Sequence, residues 1–247
     1  MKAVILAAGY ATRLYPLTLN TPKCLLKIGK QTLLDSLCRK LEAVSKVDEI
    51  LIVTNEKFFG RLESWRNRVS LRCPVRVLND GTTSNETRLG AIGDFNFLIR
   101  ECKIDRDVLM LASDNLFEDA LVEFVKFCET KRELVSVGLH DIGDPKLASK
   151  KFGVLEIDAS GRVVGMEEKP EHPKSGLIGM GVYFFPRNTL RTVAEYLAEG
   201  PAKDAPGYYL QWLHGRVEIF GFLFKGLWYD IGDLNALEEA RKIFGEN

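Results

Sequence analysis

The sequence predicts an α/β protein whose doubly wound mixed sheet is flanked by helices. In the first half of the chain, short apolar runs of strand length alternate with amphipathic helical patterns, as in parallel βαβ units. In the second half, short strands follow one another closely, which predicts antiparallel additions to the same sheet. No repeat, low-complexity tract or linker divides the 247 residues. We therefore expect a single domain over residues 1–247.

The first half combines predicted strands with helical patterns in strict alternation. The strands are buried apolar runs at residues 3–6, 50–53, 75–78 and 108–111. The helical patterns lie at residues 33–44, 58–65, 83–98 and 121–128. Thr83 and Glu86 have the spacing of a capping box, so the third helix is predicted to begin there.

The second half begins with a predicted hairpin around the turn Ala159-Ser160-Gly161. The predicted strands lie at residues 154–157, 163–166, 181–185 and 217–220. Asp233 is placed to cap a final helix over residues 234–243. Antiparallel strands added to a parallel half give a Rossmann-like mixed sheet.

Composition excludes several classes of partner. Lys and Arg number 34, as do Asp and Glu, so the formal net charge is zero, whereas nucleic-acid and anionic-membrane surfaces require a basic excess. The five cysteines are scattered without a Cys-x-x-Cys pair, which suits a reducing compartment and gives no zinc pattern. The N-terminal apolar run is too short for a signal peptide, and no later run reaches bilayer length. We expect a cytoplasmic protein that binds neither nucleic acid nor membrane.

The turn after the first strand is the strongest functional signal. Leu6-Ala7-Ala8-Gly9 leaves the strand through small residues, which allow successive N–H groups to point at one anion. Arg13 and Lys23 bring two cations to the same place. The spacing is neither that of a Walker A loop nor that of a dinucleotide fingerprint. The segment therefore predicts a polyphosphate site of another kind.

Two aspartates are candidate ligands of Mg²⁺. Asp114 follows the fourth strand, and in an open α/β sheet ligands bind outside the carboxyl ends of the strands. Asp230 lies in the aromatic segment Trp228-Tyr229-Asp230, which favours burial, and a buried aspartate requires a partner or a metal. Mg²⁺ is commonly held by one or two carboxylates together with substrate phosphates. For Asp114, an N-cap or Asx turn is the alternative interpretation.

The N-terminal segment resembles the signature of the sugar-1-phosphate nucleotidyltransferases, such as the glucose-1-phosphate thymidylyltransferases. The resemblance extends through Leu14-Tyr15-Pro16-Leu17-Thr18 and Pro22-Lys23. Ala8 and Ala11 depart from it, because the family usually has glycine at both positions.

The resemblance implies a role for each charged residue of this segment. Arg13 and the turn amides would contact the leaving pyrophosphate, and Lys23 would contact the region of the α-phosphate. Asp114 and Asp230 fall on the positions of the family's metal-binding aspartates, which implies a Mg²⁺ site.

Further segments match the acceptor side of the same family. Glu167-Glu168-Lys169-Pro170 corresponds to the family's Glu-Lys-Pro, which implies that Lys169 binds the acceptor phosphate and Glu168 accepts hydrogen bonds from sugar hydroxyls. Gly153 and Gly181 lie in segments that line the family's sugar pocket, where glycine lets a ligand approach the backbone. Without the other motifs, the charged run is an ordinary exposed turn.

The segment expected to contact the base has two interpretations. Asn79 stands where thymidylyl and uridylyl enzymes carry a glutamine that pairs with the pyrimidine, and Asn85 is a second nucleotide-binding candidate. Glu86-Thr87-Arg88-Leu89 stands near the family's Gly-Leu-Ala, and residues 84–89 are more similar to the choline-phosphate cytidylyltransferase branch. The alternative is a polar turn without a ligand.

The resemblance implies Mg²⁺-dependent transfer of a nucleoside monophosphate from a nucleoside triphosphate to a sugar 1-phosphate, with release of pyrophosphate. The acceptor phosphate is already an anion, so no general base or covalent nucleophile is needed. The alternatives are cytidylyl transfer to phosphocholine or another alcohol phosphate, and a nucleotide or sugar-phosphate sensor without turnover. A nicotinamide oxidoreductase is disfavoured because the dinucleotide fingerprint is missing. Assembly into a homo-oligomer is left open.

Overall fold

The secondary structure is that of a computed structural model, which describes residues 1–131, 134–199 and 204–245. The strands are β1 (Lys2–Leu6), β2 (Lys27–Ile28), β3 (Gln31–Thr32), β4 (Glu49–Thr54), β5 (Val75–Asn79), β6 (Val108–Ala112), β7 (Asn115–Phe117), β8 (Val135–Asp141), β9 (Gly153–Ile157), β10 (Val163–Glu168), β11 (Leu177–Phe185), β12 (Ile219–Phe224) and β13 (Trp228–Asp230). The helices are α1 (Leu33–Glu42), α2 (Glu56–Arg66), α3 (Ala91–Glu101), α4 (Leu121–Thr130), α5 (Arg191–Glu199), α6 (Pro206–His214) and α7 (Leu234–Phe244).

The centre of the sheet is parallel, with neighbouring strands in the order β5, β4, β1, β6. The register places Leu6 of β1 opposite Val53 of β4 on one side and Ala112 of β6 on the other. The carboxyl ends of these strands therefore share one edge, and the segments that follow them meet there. These pairings confirm the predicted parallel βαβ units.

Antiparallel strands extend the sheet beyond β6. β11 pairs antiparallel with β6, β8 pairs antiparallel with β11, and β12 runs parallel to β8. β9 and β10 form the predicted hairpin, which joins the sheet where Val154 pairs with Ile178. The sheet is mixed, as the sequence predicts.

Helices cover both faces of this sheet. On one face, α1, α2 and α4 pack against the strands and fully bury Leu62 and Phe124. On the other face, α3, α5 and α6 bury Phe95, Val193 and Tyr209. The two layers of helices confirm the doubly wound arrangement.

The C-terminal helix α7 covers a smaller core beside the turn that follows β1. Asp233 caps it as predicted, because its carboxylate accepts a hydrogen bond from the Ala236 N–H at 3.0 Å. Leu237 then packs with Leu14 and Ile231. Within the described ranges, no helix combines the length and the apolar character needed to cross a membrane.

The third helix begins later than the sequence predicts. α3 starts at Ala91, and its N-cap is Gly90 with a φ of +78°, so the capping box predicted at Thr83 and Glu86 is wrong. The preceding residues form turns instead, in which the Thr87 hydroxyl donates to the Ser84 carbonyl at 3.1 Å. Short-range hydroxyl bonds of this kind compete with helical backbone bonds.

The buried aromatic cluster under α4 gives a test of the core. Phe124 is fully buried, and its ring centroid lies 5.7 Å from those of Phe222 and Phe224. We expect Phe124→Ala to lower the free energy of unfolding by about 3–5 kcal/mol, because it removes buried surface and leaves a cavity. Val164→Ala, at a position 51% exposed, should change it by less than about 0.5 kcal/mol. Urea denaturation measures both, and equal losses would contradict the assigned core.

Candidate active site

The turn after β1 is shaped by side chains from the end of β4. Asn55 accepts a hydrogen bond from the Phe58 N–H at 3.1 Å, which caps α2, and donates to the Ala8 carbonyl at 2.8 Å. The Ala7 N–H donates to the Val53 carbonyl at 2.9 Å. Carbonyls of the turn are thus held by the protein. Among the described residues, no acceptor is paired with the N–H groups of Ala8 or Gly9, which are free for an anion.

A cavity of about 470 Å³, here called the turn cavity, opens beside this turn. It is lined by the predicted residues Leu6, Ala7, Ala8, Gly9, Arg13, Lys23 and Asp114, together with Arg88, Gly90, Ala91, Asp94, Lys169 and Asp204. A side chain at Gly9 would meet nothing within 4 Å, so the space above this residue is open to a ligand.

A second cavity of about 330 Å³, here called the hairpin cavity, lies against β9 and β10. It is lined by the predicted residues Gly153, Glu168, Lys169, Gly181, Asp114 and Asp230, and by Phe152, Tyr183, Gly207 and Trp228. The two cavities share a wall that includes Arg13, Asp114, Lys169 and Asp204. A molecule in one cavity can therefore reach a molecule in the other.

The two candidate metal-binding aspartates meet at this junction, although 116 positions separate them in sequence (230 − 114). β13 pairs antiparallel with β7, and the Ile231 N–H donates to the Asp114 carbonyl at 3.0 Å. The Asp114 carboxylate accepts a hydrogen bond from Lys23 Nζ at 2.8 Å. Cations and carboxylates thus converge where the two cavities join.

The family model described as nucleotidyl transferase matches residues 2–246 of the chain. The chain belongs to the nucleotidyl transferase family. This confirms the resemblance that the turn and the later motifs indicate. The chain is also similar to the bifunctional protein GlmU of Methanocaldococcus jannaschii, with 28% identity over 246 residues that cover 98% of this chain and 54% of the relative.

A second curated relative is the glucose-1-phosphate thymidylyltransferase of Streptomyces antibioticus, with 28% identity over 98% of this chain and 65% of the relative. The chain therefore spans about half to two thirds of the length of these relatives. A crystal structure of UDP-glucose pyrophosphorylase complexed with UDP-glucose has the same fold, with a TM-score of 0.81 and 21% identity over 99% of this chain and 98% of that one.

In this nucleotidyl transferase, Asp230 carries a perturbed carboxyl. Its pKa is raised to about 6, chiefly by burial and next by the Asp114 carboxylate, against the opposing charges of Lys23 and Arg13. A pair of neighbouring carboxylates in a buried setting favours a bound proton or a bound cation. Among the described residues, no group of three or more His, Cys, Asp or Glu side chains is arranged to hold a metal.

Glu168 occupies a closely fitted place in the hairpin cavity. Its side chain is 5% exposed, and a Cβ added at Gly153 or Gly207 would overlap its Oε2 atom. Burial raises the pKa of the Glu168 carboxyl, while the charge of Lys169 lowers it. The glycines therefore make room for this carboxyl, which faces the cavity beside Lys169.

The predicted residues Asn79 and Asn85 lie outside the linings of both cavities. The Asn79 amide donates to the Glu56 carboxylate and accepts from the Gly81 N–H, so its side chain is occupied at the end of β5. The Asn85 carbonyl accepts from Arg88 at 2.9 Å. Their proposed contact with the base remains a prediction.

The turn cavity includes residues that the sequence analysis does not identify. Gly90 and Ala91 begin α3 directly after the segment placed near the family's Gly-Leu-Ala, and both line the turn cavity. The sequence feature that could have identified them is the glycine that directly precedes a helical pattern. Arg88 forms a two-point ion pair with Asp204, at 2.6 and 3.2 Å. Asp204 and Gly207 line the hairpin cavity, whereas Tyr209, two residues further on, is buried in the core.

Asp94, which lines the turn cavity, faces a second carboxyl, that of Asp80. Asp94, in the first turn of α3, is 6% exposed, and its Oδ1 atom is buried without a hydrogen-bond partner among the described residues. Asp80 faces it after β5; its Oδ1 accepts from Thr82, whereas its buried Oδ2 is unpartnered in the described chain. The pKa of Asp94 is raised to about 8 by burial and by Asp80.

This pair predicts a pH dependence of stability. The folded protein keeps a proton on Asp94 up to about pH 8, whereas the ordinary pKa is 3.8. The folded state binds more protons than the unfolded state over this range, so Asp94 destabilises the fold increasingly as the pH rises. Asp94→Asn removes this cost. The free energy of unfolding of the variant minus that of the native protein should therefore increase by roughly 1–3 kcal/mol from pH 5 to pH 8.

Denaturation at both pH values measures this difference. Asp105→Asn removes the same charge at a position whose side chain is 72% exposed, and it should give no such pH dependence. An Asp94→Asn effect that is equal at pH 5 and pH 8 would contradict the raised pKa of Asp94.

Proposed function

We propose that this protein transfers a nucleotidyl group from a nucleoside triphosphate to a sugar 1-phosphate and releases pyrophosphate. The observation that carries the proposal is the shared wall of the two cavities, where Arg13, Asp114 and Lys169 lie together. Family membership and the printed activity of the thymidylyltransferase relative support it. The turn cavity takes the triphosphate, and the hairpin cavity takes the acceptor.

Each reacting group has a place along this wall. An oxygen of the acceptor phosphate attacks the α-phosphorus, and the bond between the α-phosphorus and the bridging oxygen breaks with its electrons passing to pyrophosphate. The N–H groups of Ala8 and Gly9, with Arg13, stabilise the departing charge. Lys169 holds the acceptor phosphate in line for attack. Because the acceptor is already an anion, positioning and charge neutralisation are sufficient.

Asp114 and Asp230 fit a Mg²⁺ ion. Their oxygen donors are the ligands that this hard cation prefers, and the raised pKa of Asp230 beside Asp114 supports a compensating positive charge there. The remaining ligands would be phosphate oxygens and water. When bound, Mg²⁺ would neutralise charge on the phosphates. Lys23, ion-paired to Asp114, keeps that carboxylate oriented toward the junction.

The acceptor side favours a sugar, because Glu168 offers a carboxyl acceptor for hydroxyl groups. One observation favours the second candidate, an alcohol phosphate such as phosphocholine. The rings of Phe152 and Trp228 lie 5.5 Å apart at an angle of 71° and both line the hairpin cavity, and aromatic walls of this kind bind quaternary ammonium. A cytoplasmic location, where nucleoside triphosphates are available, remains part of the proposal.

Pyrophosphate release from a matrix of nucleoside triphosphates and acceptor phosphates tests the function. We expect release only when Mg²⁺, a triphosphate and an acceptor are all present, with glucose 1-phosphate and mannose 1-phosphate as sugar probes and phosphocholine as the alternative. Turnover that survives EDTA treatment would remove the metal assignment. Tight binding of nucleotides without release with any acceptor would favour the sensor.

The two aspartates give a second prediction. Asp114→Asn and Asp230→Asn should each lower kcat by roughly 10²–10³, because each removes a charge that acts on the reacting phosphates. The double variant should cost little beyond the worse single variant, since residues that act as one unit are not additive. In the metal-free protein, Asp230→Asn should raise the melting temperature at pH 8, while Asp114→Asn loses the ion pair with Lys23 and should not.

Steady-state kinetics of the four proteins measure this cycle, with Asp105→Asn as a charge-matched exposed control. Multiplicative losses in the double variant would show that the two aspartates act independently, and near-normal turnover of Asp230→Asn would show that Asp230 is a structural turn residue only.

A further inference from the structure

We infer that the Asp94–Asp80 carboxyl pair selects a nucleobase that carries an exocyclic amino group. This inference rests on the proposed function and concerns the base end of the turn cavity. The first observation is the polarity of that cavity. Arg13 and Lys23 lie at the junction with the hairpin cavity, whereas Asp94 lines the part formed by the start of α3.

A nucleoside triphosphate has the same polarity. Its phosphates require the cations and free amides at the junction, so its base must lie toward Gly90, Ala91 and Asp94. Gly90 and Ala91 present backbone without bulky side chains, which leaves room for a flat ring between α3 and the turn. The first side chain with hydrogen-bonding groups on this wall of α3 is Asp94.

The second observation is the burial of the Asp94 carboxyl. Asp94 is 6% exposed and lines the turn cavity, whereas Asp80, which faces it after β5, does not line that cavity. Asp94 Oδ1 and Asp80 Oδ2 are buried and receive no hydrogen bond from the rest of the described chain. Buried polar groups of this kind are costly unless a shared proton, a ligand or water satisfies them. Asp94 is therefore the member of this pair that a ligand in the turn cavity can reach.

The chemistry of that edge follows from the acidic pair. Two facing carboxyls retain one proton between them, so one oxygen of each takes part in the shared hydrogen bond. The other oxygen of Asp94 is then an acceptor toward the cavity that the residue lines. The matching group on a base is an N–H donor, which cytosine, adenine and guanine offer as an exocyclic amine. Uracil and thymine present a carbonyl oxygen at the exocyclic atom, which the acceptor would repel, and their N–H donor is the adjacent ring N3–H, one position along the same edge.

Arg88 does not reverse this preference. It is the cation that lines the same region, but its guanidinium is bound to Asp204 at two points and to the Asn85 carbonyl. Most of the N–H groups with which Arg88 could bind a base carbonyl therefore already donate to groups of the protein.

Calorimetric binding of nucleoside triphosphates in the presence of Mg²⁺ tests the class of base without knowledge of the acceptor. The informative pairs are GTP against ITP, which differ only by the amine, and CTP against UTP and ATP against ITP, in which a carbonyl replaces the amine and the neighbouring ring nitrogen gains a proton; dTTP is added. We expect the tightest ligand to carry an exocyclic amine and to bind at least about tenfold more tightly than its matched partner. Tightest binding of UTP, dTTP or ITP would overturn the inference and leave the proposed function intact. Absence of binding by any triphosphate would overturn the proposed function, and the inference with it.

Variants of Asp94 assign the preference to this residue. In Asp94→Ala, the triphosphate with the amine should bind no more than about threefold more tightly than its matched partner, because the hydrogen-bond acceptor is lost. Asp94→Asn should retain most of the ratio, since its amide can donate to Asp80 and turn its carbonyl to the cavity. Asp105→Asn, at an exposed position, should leave the ratio unchanged. An Asp94→Ala protein that keeps the native ratio would show that another group reads the base.

Discussion

The parallel pairing of β1 with β6 is the constraint on which the site depends. Because Leu6 lies opposite Ala112, both strands end at the same level, and the turn after one meets Asp114 after the other. The Ser113 N–H donates to the Leu6 carbonyl at 3.3 Å and ties the two exits together. A register shift of one residue would turn the side chains that follow to the opposite face. The geometry of the turn after β1 and of the proposed metal site is therefore set by the core of the sheet.

Charge balance in the site follows from this placement. Lys23 and Asp114 form a partly buried ion pair, which orders both side chains at the junction of the cavities. Asp230 brings a second carboxylate from the C-terminal part of the chain, through the pairing of β13 with β7. The net charge of the whole chain is zero, so the proposed affinity for a polyphosphate depends on this local arrangement. Composition alone excludes general anion binding but does not reveal the site.

The sequence predicts most of the fold and the chemistry that is local to a motif. Buried apolar runs such as residues 50–53 and 108–111 indicate strands, and the structure has strands there. The small residues of the turn after β1 and the nearby Arg13 predict an anion site directly. The predicted start of α3 was wrong because Thr83 and Glu86 have the spacing of a capping box, whereas the segment forms turns in which the Thr87 hydroxyl donates to the Ser84 carbonyl. β8 was not predicted, because a serine and a glycine interrupt its apolar run. The strand is stabilised by pairing with β11, which lies far along the chain. The Asp94–Asp80 pair depends on tertiary packing, which no spacing within either segment encodes.

Three buried carboxyls distinguish this site from an ordinary core. Burial raises the pKa values of Asp94, Glu168 and Asp230, so each destabilises the fold near neutral pH relative to an uncharged residue of the same shape. Asp94 lines the turn cavity, Glu168 lines the hairpin cavity, and Asp230 lies beside Asp114, where the two cavities join. Such groups concentrate where a ligand supplies the missing partner. In the proposed reaction, the amine of the base, the hydroxyls of the acceptor and the metal-bound phosphates are those partners, so one substrate pair accounts for all three unfavourable burials.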